Sequence, residues 1–84
     1  RSSDLLASIL LEEGETEKAE QEARASLLNN PNNGEARLVL ARALVKSDRR
    51  ENALEEVEAG LGLETDPARR ADFVELQKTL KEGR

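Results

Sequence analysis

The chain matches itself when it is slid along until Leu6 falls on Leu40. The same shift sets Ala7 on Ala41, Leu10 on Leu44, Glu17 on Glu51, Ala19 on Ala53, Glu22 on Glu56, Ala25 on Ala59 and Leu27 on Leu61. With the first match, those are eight identities among the 33 pairs that set residues 1–33 against 35–67, where ordinary composition gives about two by chance. A unit of roughly 34 residues is one supersecondary element that cannot bury its own apolar face, so successive units must stack on each other.

The apolar spacing within each unit is helical. Leu6, Ile9 and Leu10 form one stripe, flanked by Leu5 and Leu11, which predicts a first helix over about 4–13. Ser2 or Ser3 caps it, and Gly14 stops it. Thr16 is expected to cap a second helix whose inner face is Ala19, Ala23, Leu27 and Leu28. The run Asn29-Asn30-Pro31-Asn32-Asn33-Gly34 is a loop by composition. A third helix is expected over about 35–46, offering Leu38, Leu40, Ala41, Leu44 and Val45 for burial. After a short connection at Ser47-Asp48, a fourth should run over about 50–61, with Ala53, Leu54, Val57 and Leu61 facing in and Gly62 ending it. Asp66 and Pro67 read as cap and first residue of a last helix over about 67–81, with Phe73, Leu76 and Leu80 on one stripe and Val74 nearby. No segment alternates apolar and polar residues as a strand does.

Two helices in a unit of roughly 34 residues resemble the tetratricopeptide repeat. Leu6-Ala7 and Leu40-Ala41 stand where that family has a leucine and then a small residue, and Leu10 and Leu44 follow as its large residue. Gly14 takes the turn glycine's place, with Asp48 at the matching site. Ala19 and Ala53, then Ser26 and Gly60, take the small-residue places of the second helix, and Pro31 closes the unit, with Pro67 displaced by two. The resemblance covers residues 2–67 and the last helix loosely. It implies an all-α chain of five helices, with antiparallel hairpins stacked as a short right-handed solenoid. Residues 1–33 would be the first hairpin, 34–66 the second and 67–84 a capping helix, all in one domain. That helix should show solvent Arg69, Arg70, Asp72, Glu75, Lys78 and Glu82. The family's aromatics are missing: Ser3 and Arg37, Thr16 and Arg50, and Ala23 and Val57 occupy their places, and Phe73 is the one aromatic residue. The core should therefore be smaller and more aliphatic than usual. Arg1 rather than Met opens the chain, which suggests a piece of a longer protein.

Chemistry is scarce. With no His, Cys, Tyr, Trp or Met, the chain lacks the usual general base and the usual zinc ligands, so an enzyme, a metal site and a cofactor are not expected. The net charge of −5 argues against nucleic acid, whose phosphates need a surplus of cations. No apolar run is long enough to span a bilayer, and a cytoplasmic setting is favoured. The acids concentrate early: residues 1–33 carry seven against three bases.

In the family it resembles, the first helix of each unit lines a concave groove for a protein or peptide partner. Here that groove would present Asp4, Ser8, Leu11 and Glu12 from the first unit, and Glu35, Leu38, Arg42, Val45 and Lys46 from the second. Arg42 and Lys46, four apart, share a helical face, so an acidic or amphipathic peptide is the expected ligand. The subset of the family that clamps chaperone C-terminal carboxylates is disfavoured, since Asp4 and Ser8 replace its Lys and Asn. The alternative is self-association through exposed helix faces.

Overall fold

The computed structural model describes residues 9–82. Residues 9–12 are helical and are labelled α1; then come α2 (Thr16–Asn29), α3 (Gly34–Lys46), α4 (Arg50–Leu63) and α5 (Pro67–Glu82), and no strand occurs among the described residues. The Ser2 or Ser3 cap lies outside them.

The repeat is written in the backbone hydrogen bonds. After α1, Gly14 N donates to Leu11 O at 3.1 Å and Glu15 N to Leu10 O at 2.8 Å. After α3, the same two bonds recur at the matching places of the next unit: Asp48 N donates to Val45 O at 3.1 Å and Arg49 N to Leu44 O at 2.9 Å. This crossed pair is a Schellman stop, which needs one residue in the left-handed region. Gly14 supplies it at φ 87° and Asp48 at φ 65°. Aspartate is among the few residues that tolerate that conformation, so it can stand where glycine is expected.

The register of the repeat is kept from α2 to α4, with Thr16 and Arg50 opening the two helices, but α5 begins one residue early. Asn33 Oδ1 accepts from Ala36 N at 3.1 Å to cap α3, and Asp66 Oδ2 accepts from Arg69 N at 3.0 Å to cap α5. Four residues separate α2 from α3 and three separate α4 from α5. Residues of α5 therefore match those of α3 at an offset of 33.

α3 is the centre of the molecule and packs against α2, α4 and α5. Ala36, Leu38, Val39, Leu40, Ala41, Ala43 and Leu44 are all buried on it, as befits a helix with neighbours on nearly every side. Ala19, Ala23, Ala41 and Ala53 are fully covered, and their small side chains let the helix axes approach. α5 keeps only the inward half of this pattern. Phe73 is buried like its counterpart Leu40, and Leu80 is buried although its counterpart Ser47, just past α3, is exposed. The stripe Leu38, Ala41, Val45 becomes Ala71, Val74, Lys78, and all three of these are exposed. α5 thus exposes a stripe that α3 largely buries.

Several expectations are corrected. Thr16 is the first residue of α2, not its cap; Glu15 holds the cap position with no side-chain bond. Gly62 does not end α4, which runs on to Leu63. Leu28 is not on the inner face but 86% exposed. The buried stripe of α2 is Ala19, Ala23 and Ser26, and two residues beyond Ser26 turn Leu28 about 160° away. Ile9 is 42% exposed while Leu11, expected only to flank the stripe, is in the core. Arg69 and Asp72 are half-buried rather than solvent-facing.

Candidate partner-binding surface

α3 sets the geometry of the expected groove. Arg42 and Lys46 are exposed, with Val45 half-buried between them and Glu35 half-buried at the helix start. Leu11 and Leu38, at 8% and 6% exposure, belong to the core and can form only a floor. Glu12 is exposed at the end of α1. Asp4 and Ser8 lie outside the described residues. The structure thus places together the α3 half of the predicted set.

Arg42 stands apart electrostatically. Arg24 pairs with Glu20 at 3.0 Å, Arg37 with Glu56 at 2.9 Å, and Arg69 with Glu64 at 3.5 Å. Arg49 also pairs with Glu20. Arg50 donates to Thr79 O and Leu80 O, and Arg70 to Leu61 O and Glu64 O. Among the described residues Arg42 is the arginine that makes no such bond, and Lys46 makes none either. Neither charge is committed to holding the fold.

Glu20 is the opposite case. It is largely covered and accepts from two arginines, one on its own helix and one from the turn before α4. The hydrogen bond from Arg49 is the main cause that holds its carboxyl below the usual glutamate range; burial pushes the other way, and Arg24 adds to the lowering.

A second concavity was not foreseen from sequence. Leu27, Leu28, Pro31 and Leu40, with Arg24, Arg37 and Glu56, line a groove of about 340 Å³ where α2 turns into α3. Its signal was available: Leu28 and Arg24 lack the repeat, since Gly62 and Glu58 stand at their places in the second unit. Among the described residues no group of three or more metal-ligating side chains could hold a metal ion, and no helix is long and apolar enough to cross a membrane.

Residues 10–75 match the tetratricopeptide repeat family. The match begins in α1 and extends well into α5, further along the chain than the 2–67 read from the motif positions. No curated protein and no solved structure matches the chain.

Proposed function

Since the chain belongs to the tetratricopeptide repeat family, whose repeats generally mediate protein–protein interaction, we propose that it is a non-catalytic module that receives a peptide or protein segment on the exposed strip of α3. Arg42 and Lys46 supply charge, Val45 supplies apolar contact, and Glu35 bounds the strip. Leu11 and Leu38 support it from below, and Glu12 borders it.

The observation that carries this reading is the unpaired state of Arg42 and Lys46. On a chain of net charge −5, every other described arginine is bonded within the fold, as described above. Two uncommitted cations one helical turn apart attract a carboxylate-bearing segment, so the expected ligand is acidic or amphipathic.

The test is affinity capture by the wild-type chain and by an Arg42→Glu/Lys46→Glu variant, with circular dichroism of both. The expected outcome is a protein retained by the wild type and lost from an equally helical variant. Equal retention would move the site off α3. Self-association is the second reading, and it rests on Leu28, Leu63 and Val74, which are 86%, 51% and 42% exposed. A mass that rises with concentration in sedimentation equilibrium would favour it.

A further inference from the structure

We infer that the groove where α2 turns into α3 is a second docking site, shaped for a peptide segment that carries a large aliphatic or aromatic side chain beside a carboxylate. It is a different surface from the α3 strip. Leu40 lines the groove and Arg42 lies on the strip, and two residues of helix set them about 160° apart.

Shape comes first. The groove holds about 340 Å³, the small end of the range for ligand pockets and enough for a side chain with its flanking backbone. Its wall includes Leu28, 86% exposed in the free chain. Leaving a leucine in water forfeits the gain its burial would bring, and a partner's apolar side chain recovers it. The wall is not a by-product of the repeat, because Gly62 and Glu58 replace Leu28 and Arg24 in the second unit.

Charge selects the partner. Two arginines and one glutamate line the groove, which makes it locally basic on an acidic protein. Arg37 is 15% exposed and clamped: its Nη1 donates to Glu56 and its Nη2 to Pro31 O at 2.8 Å. Arg24 is 50% exposed, with Nε and Nη2 on Glu20. Each guanidinium has committed only part of its donors. Clamped arginines lose little further entropy on binding an oxygen ligand. A carboxylate next to the apolar anchor uses the remaining donors, whereas a basic segment is repelled.

The test is an amide-shift titration of the isotope-labelled chain with the tetrapeptide acetyl-Glu-Leu-Phe-Glu-amide. Saturable shifts are expected at Leu27, Leu28, Arg37 and Leu40, and they should persist in the Arg42→Glu/Lys46→Glu variant. Leu28→Ser, at a site too exposed to matter for folding, should weaken binding roughly tenfold. The same peptide with Gln for both Glu should also bind several-fold more weakly. Shifts centred on Arg42 and Lys46, the absence of saturation, or equal binding by Leu28→Ser would each overturn the inference. So would movement of the groove resonances on simple dilution without peptide, which would make a second copy of the chain the occupant.

Discussion

The two elbows of the molecule, residues 30–33 between α2 and α3 and 64–66 between α4 and α5, use the same lock on different packing. At each, an arginine one turn into the following helix reaches back to the loop: Arg37 donates to Pro31 O, and its counterpart in α5, Arg70, donates to Glu64 O. Arg37 also finds Glu56 on the next helix. α5 is followed by no described helix, and Arg70 turns to Leu61 O instead, at 2.6 Å. Beneath the lock the sizes are exchanged. The first elbow has Ser26 and Leu40; the second has Gly60 and Phe73, and all four are buried. The larger ring is accommodated by the smaller partner: a Cβ on Gly60 would come within 2.6 Å of the Phe73 ring. The elbow between α2 and α3 is packed with aliphatic side chains, while that between α4 and α5 has one aromatic residue set into a glycine.

Phe73→Ala tests that contrast most severely. Phe73 is fully buried, and such truncations cost about 3–5 kcal/mol, a large share of the stability of a domain this small. Urea melts followed by circular dichroism should show the loss, and a cost no larger than that of an ordinary leucine would break the contrast between the elbows. Next in size is Gly60→Ser, which imports the first elbow's residue into the second. The buried ring cannot swing clear as a flexible polar tip could, so overpacking of about 1–3 kcal/mol is expected. The same change combined with Phe73→Leu should recover part of that cost, because it restores the first elbow's pairing.

The fold was legible in sequence because its periodicities are local. The repeat spacing, the small residues at Ala19, Ala41 and Ala53, and the Asp66-Pro67 start are all read from neighbours along the chain, and each has its structural counterpart. What failed depended on the third dimension. Leu28 is as apolar as Leu27, and only the direction set by the Ala19-Ala23-Ser26 stripe shows that it faces out. The one-residue slip at the second elbow is faintly visible in Pro67 but decides which residues of α5 face the core. For the candidate surface, exposure of Arg42 and Lys46 followed from helix geometry. Leu38 is expected both in the core and in the groove, and its burial bears out the first; the burial of Leu11, expected only to flank its stripe, requires knowing how closely neighbouring layers approach.

The units also differ in what fills one equivalent position. Glu20 in α2 corresponds to Leu54 in α4, so an ion-paired hub in the first unit is replaced by an apolar contact in the second. Because the folded-state pKa of Glu20 lies below its ordinary value, chiefly through Arg49, its contribution is present above the ordinary glutamate range and fades as pH falls through the lowered value. Glu20→Gln should therefore be less stable than wild type at neutral pH, and the gap should close on acidification below the usual glutamate pKa. A gap that does not change with pH would mean that Arg24 and Arg49 contribute packing rather than charge.

The smallest effect isolates what serine costs the first elbow. Ser26 is 6% exposed and its Oγ has no hydrogen-bond partner, and a buried hydroxyl without one loses its hydration with nothing to offset the loss. Ser26→Ala removes that oxygen, keeps the volume close, and places a better helix former within α2. The melting midpoint should rise slightly. In Gly60→Ala the same side chain should lower it, since the methyl group meets the Phe73 ring. Opposite signs from alanine at these two equivalent positions of the repeat would show that the repeat conserves the site while each layer sets its own size limit; equal signs would show that the aromatic ring moves aside, and that the second elbow is no tighter than the first.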